Sequence, residues 1–195
     1  MAPTLEYSKR ERAINSKDLL DTYEYYLVQI DLATKAKDRA LSDKTNKYIL
    51  DLGLSIVGAK KKNRDDAIKE YFDNMQKILE DNVIVNMVAV FERLTFESLN
   101  LATDNARKVL KENYREDKPF SSSVAALVKT KDDINNLSGI HSLATGSMTT
   151  SLAKDLKEII EYRNRVAHGK RFGNETTKTV KNVLEVLDEA LTIIS

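Results

Sequence analysis

The chain has 195 residues, of which 42% are hydrophobic and 31% charged, and a formal net charge of +1. Such a chain is long enough to bury one real core, and its balance is that of a globular domain. It contains no cysteine, which excludes a disulfide framework and a thiolate metal site.

A near-neutral total charge creates no long-range field for nucleic acid, so an RNA partner has to be held by a local basic patch. No apolar run approaches the roughly 20 residues that span a bilayer. The opening Met1-Ala2-Pro3-Thr4-Leu5-Glu6 lacks a basic segment leading into an apolar one. The expected address is therefore the cytoplasm, with no membrane partner.

Helical periodicity dominates from end to end, and strand alternation is nearly absent. Leu19, Tyr23, Leu27 and Ile30 fall on one face of a first predicted helix, and Tyr48, Leu52 and Ile56 on one face of a second. Ile68, Tyr71, Phe72, Met75, Ile78 and Leu79 mark a third. A long stretch from about 82 to 114 follows, with Val83, Met87, Phe91, Leu94, Leu99, Ala102, Ala106 and Val109. Pro119 closes it, because a residue before proline resists the helical region.

Between 120 and 150 the periodicity weakens, and Ser, Thr and Gly mark loops around short helical pieces. Thr149-Thr150-Ser151 forms an N-cap signal for a helix carrying Leu152, Leu156, Ile159 and Ile160 into Arg163. After a turn at Gly173-Asn174 a final helix holds Val180, Val183, Leu184, Leu187, Leu191 and Ile194. The expectation is an all-α helical bundle forming one domain over 1–195. Within it, 1–65 reads as an appended helical hairpin and 80–195 as the core.

The most informative stretch is Tyr162-Arg163-Asn164-Arg165-Val166-Ala167-His168-Gly169-Lys170, which holds one of only two histidines. Asn164 and His168 are four apart and share a helical face, with Arg163 next to that face. Ala167 leaves room beside the imidazole, and Gly169 is the residue expected just past a helix C-terminus. An imidazole titrates near neutral pH and can give or take a proton. A guanidinium offers a planar fork of donors to phosphate oxygens. The two together suffice for phosphodiester chemistry without a metal or other cofactor. The plainer alternative is that Arg163, Arg165, His168 and Lys170 only complement the negative end of the helix dipole.

Arg163-Asn164-Arg165-Val166-Ala167-His168 resembles the Arg-polar-x-x-x-His signature of the HEPN superfamily, and the trailing Gly169 is a common companion of it. The resemblance implies a compact helical domain of HEPN type, here with additional N-terminal helices. It further implies a homodimer whose two motifs meet in a cleft and cleave RNA as a metal-independent endoribonuclease, in a toxin–antitoxin or anti-phage setting. An antitoxin or defence-system protein would be a partner. Arg163, Asn164 and His168 are then the catalytic candidates, and Arg165, Lys170 and Arg171 the substrate-binding ones. The competing reading keeps the fold without catalysis: a helical dimerisation or RNA-binding module serving as a subunit of a larger complex.

Other candidates carry plainer explanations. Lys60-Lys61-Lys62-Asn63-Arg64 either grips phosphates or forms a solvated loop. Glu92 either pairs with Arg163 or is an ordinary surface acid beside Arg93, the second being the simpler. His141 is a loop histidine. Ser151-Leu152-Ala153-Lys154 spells a serine-hydrolase pattern without its companion motifs, and Ser151 is accounted for by capping. Asp65-Asp66 and Asp132-Asp133 suit helix starts. Tyr23, Tyr25 and Tyr26 either stack on bases or pack in the core or a dimer.

Overall fold

The computed structural model describes residues 14–45, 48, 64–113, 148–169, 176 and 178–194. Their regular structure is all helical: α1 (Lys17–Ser42), α2 (Arg64–Asn113), α3 (Thr150–Ala167) and α4 (Val180–Ile194). No strand occurs among the described residues. None of these helices is long and apolar enough to cross a membrane.

The starts of α1, α3 and α4 are closed by specific acceptors, as the free N–H groups of a helix start require. Ser16 caps α1, its Oγ accepting from Leu19 N at 3.4 Å. Thr149 caps α3 by accepting from Leu152 N at 3.3 Å. At the start of α4 the exchange is reciprocal. Thr179 Oγ1 accepts from Asn182 N at 3.2 Å, and Asn182 Oδ1 accepts from Thr179 N at 3.3 Å, which is the logic of a capping box.

The predicted break between a third helix and the stretch beginning near 82 does not exist. Residues 64–113 form one helix of 50 residues. The physical reason is legible: this span contains neither glycine nor proline, so nothing interrupts the i→i−4 ladder.

α1 runs antiparallel to α2. Lys37 pairs with Asp73 at 2.6 Å, and Arg93, farther along α2, pairs with Asp18 near the opposite end of α1. Beyond the C-terminus of α1, Arg64 donates to the carbonyl of Ala40 at 2.8 Å and to that of Asp43. The main core joins all four helices. Leu19 of α1, Met87, Val88 and Phe91 of α2, Leu156 and Ile159 of α3, and Val183 and Leu187 of α4 are all fully buried. Each fully buried side chain of this kind contributes about 1.5–3 kcal/mol. A satellite cluster of Ala40, Ile68 and Phe72 holds the far end of α1 to the start of α2.

Two buried carboxylates fix the frame. Asp188 of α4 is 1% exposed, and its Oδ1 accepts from Asn15 N at 2.9 Å and Ser16 N at 2.7 Å. It thereby docks the start of α1 onto α4. Asp81 of α2 accepts a buried hydrogen bond from the Tyr162 hydroxyl of α3. That bond sets the rotation of α3 one residue before Arg163.

Candidate active site

α3 ends where its sequence says it should. Ala167 is its last helical residue, His168 is the C-cap, and Gly169 follows at φ +69°. His168 N donates to Asn164 O and Gly169 N to Val166 O, both at 3.0 Å. These bonds satisfy carbonyls that would otherwise end the helix unpaired. Glycine at 169 removes the clash that a Cβ meets in the left-handed region. The turn leaves His168 on the surface, with its side chain exposed to solvent.

Arg163 behaves differently. Five residues along a helix of about 100° per residue turn the chain about 140° past its starting direction. Arg163 therefore lies toward the packed side of α3, while Asn164 and His168 are exposed. Its guanidinium donates from Nη1 to Asn164 Oδ1 at 3.0 Å, and Nη2 stands 3.8 Å from the Glu92 carboxylate of α2. Its Nε is buried without a partner among the described residues. Arg163 thus meets Asn164, one turn before His168 on the same helix, and the Glu92 carboxylate of α2.

Glu92 is corrected from an ordinary surface acid. The neighbouring cation Arg93 is committed to Asp18 and, at 3.2 Å, to Glu97. Arg93 and Glu92 point to different sides of α2, as consecutive helical residues must. Glu92 and Arg163 are only 28% and 29% exposed, so the pair sits at the edge of the α2–α3 contact.

Arg165 lies in the last turn of α3, half-buried. Lys170 and Arg171 lie outside the described residues, as do 60–63, Asp132, Asp133 and His141. Arg64 closes the α1–α2 junction through backbone carbonyls, as above. Asp65 and Asp66 do occupy the first turn of α2. Ser151 is helical and exposed, and the capping duty expected there belongs to Thr149.

Of the tyrosines, Tyr25 is exposed and Tyr26 buried, the latter 6.1 Å from Tyr23 between ring centres. Tyr23, Tyr26, Tyr162, Asp81 and Lys178 line a cleft of about 450 Å³. Burial pushes the Tyr26 phenol up to about 12, with the Glu80 carboxylate and Tyr23 adding to it. Residue-by-residue reading of the sequence missed both Asp81 and Asp188. The available signal was positional: Asp81 shares a helical face with Ile84 and Val88, and Asp188 borders the stripe of Leu184, Leu187 and Leu191. A carboxylate in such a place needs a buried partner.

No family model, curated protein or solved structure matches this chain.

Proposed function

We propose that the chain is a metal-independent endoribonuclease of HEPN type that acts as a homodimer, in a toxin–antitoxin or anti-phage role within the cytoplasm. One observation carries this reading. A capped helix end presents His168 to solvent, while Arg163, five residues earlier, is held by Asn164 and Glu92. A helix end built only for stability gains from the dipole with any cation. It has no need to hold one arginine between an acceptor on its own helix and a carboxylate on another.

In the proposed reaction a ribose 2′-OH attacks the adjacent phosphorus. The 2′-oxygen–phosphorus bond forms and the bond to the 5′-oxygen breaks, leaving a 2′,3′-cyclic phosphate and a 5′-OH. His168 takes the 2′ proton or gives one to the departing 5′-oxygen. An imidazole suits both tasks because its ordinary pKa is about 6.5. Arg163 neutralises charge growing on the non-bridging oxygens. Asn164 orients Arg163 and donates its amide hydrogens to phosphate. Arg165, Lys170 and Arg171 hold flanking phosphates. The five-residue spacing of Arg163 and His168, about 140° around an ideal helix, is a physical reason for two copies. The imidazole of one protomer and the guanidinium of the other can converge on one linkage, and acid and base duties divide between two histidines.

The test is purified protein with end-labelled single-stranded RNA. His168→Ala and Arg163→Ala are each expected to lower cleavage by at least about 100-fold, the scale of a lost general acid–base group, with the thermal melt retained. EDTA is expected to leave the rate unchanged. Full activity of the His168→Ala protein refutes the assignment.

A further inference from the structure

We infer that Glu92 is a positioning residue for Arg163, setting the direction of the guanidinium that faces the scissile phosphate; the inference rests on the nuclease reading above. Arginine has four rotatable side-chain bonds and is costly to hold in one geometry. Here its head meets polar groups from two elements. Asn164 of the same helix accepts from Nη1 at 3.0 Å, and Glu92 of α2 stands 3.8 Å from Nη2. An acceptor on the same helix only follows that helix. Glu92 instead references Arg163 to the core, because its neighbour Phe91 is fully buried and Thr95, one turn on, is buried as well.

Three observations separate this from an incidental surface pair. Arg93, the nearest alternative partner in sequence, is engaged with Asp18 and Glu97, leaving Glu92 directed at Arg163. The Arg163 Nε is already buried without a partner among the described residues, so the head depends on its two Nη contacts for orientation. The long Nη2–carboxylate distance and partial exposure make the pair a weak contributor to stability, of the order of 1 kcal/mol or less. Its measurable effect is therefore on geometry. A contact of 3.8 Å also leaves N–H groups of the fork available to phosphate oxygens.

The experiment uses the full chain, single-stranded RNA of defined sequence, and the variants Glu92→Ala, Glu92→Gln and Glu92→Asp beside wild type and His168→Ala. Glu92→Ala is expected to lower kcat by about 10- to 100-fold, the range that a misplacement near 1 Å produces. Its KM is expected to stay within about threefold of wild type, because a phosphate can still be bound but not aligned. Glu92→Gln, which keeps an acceptor oxygen in place, is expected to recover part of the loss. The melting temperature of all three is expected to fall by less than about 4 °C. Wild-type kcat in Glu92→Ala, or a kcat loss matched by the unfolded fraction and equal in Ala and Gln variants, overturns the positioning role alone. A wild-type protein that cleaves no RNA, or a His168→Ala protein that cleaves as fast as wild type, overturns the nuclease reading and the role of Glu92 with it.

Discussion

Replacing Asp188 with alanine tests how the bundle is closed. Its Oδ1 accepts from two consecutive backbone amides, Asn15 N at 2.9 Å and Ser16 N at 2.7 Å, at a site 1% exposed. Hydrogen bonds to a charged acceptor are worth roughly 1.5–3 kcal/mol net each. Losing both also strands two donors at the start of α1. The second oxygen, Oδ2, is buried without a partner among the described residues, and its removal returns part of the loss. The balance is about 3–5 kcal/mol, a large share of the 5–15 kcal/mol typical of a domain. For a chain of this size that lowers the melting temperature by roughly 6–20 °C.

Asp188→Asn keeps an acceptor for the same two amides and loses only the charge, so about 1–2 kcal/mol is expected. Urea denaturation followed by circular dichroism gives the free energies. Hydrogen exchange at Asn15 and Ser16 locates them, and both amides are expected to lose protection in the alanine variant. If Asp188→Ala melts within about 1 kcal/mol of wild type, with those two amides still protected, then α1 is held by its apolar face alone and the argument fails.

Gly169→Ala places a Cβ in the left-handed region, where nothing lies within 4 Å of it. The cost is then purely backbone, about 1–2 kcal/mol, and Gly169→Asn is expected to lose less; thermal melts that rank asparagine below alanine count against the C-cap assignment. Tyr26 makes stability fall at alkaline pH. Its folded pKa, about 12, lies above the ordinary phenol value of 10.0. The neutral phenol is thus favoured by the fold, and its contribution is complete below pH 10 and lost as pH climbs toward about 12. Ultraviolet titration is expected to show one phenol ionising late, and Tyr26→Phe is expected to flatten the alkaline loss of stability; an unchanged alkaline profile contradicts the burial argument.

Much of this protein was readable from one dimension. Local signals are short-range and additive, so the apolar periods at Leu152, Leu156 and Ile159 and at Val183, Leu184 and Leu187 placed two helices. The Thr-Thr-Ser cluster placed the start of α3, and Ala167-His168-Gly169 placed its end. The absence of glycine and proline across 64–113 also held the answer to the length of α2. The weak spacing near 80 obscured it, because Asp81 interrupts an apolar face whose partner, Tyr162, is far away in sequence.

What sequence could not supply was the identity of partners. Whether Glu92 answers to Arg93 or to Arg163 is undecidable along the chain, since consecutive helical residues leave in different directions and only packing says what each meets. Tertiary contact gave Arg93 to Asp18, Glu92 to Arg163, and Asp188 to the two amides just before α1. The composition and period of the chain determined an all-helical bundle with a histidine at a helix end. The crossing of α3 over α2 decided which way the arginine turns, because a charge at a helix–helix contact takes its direction from the carboxylate packed against it.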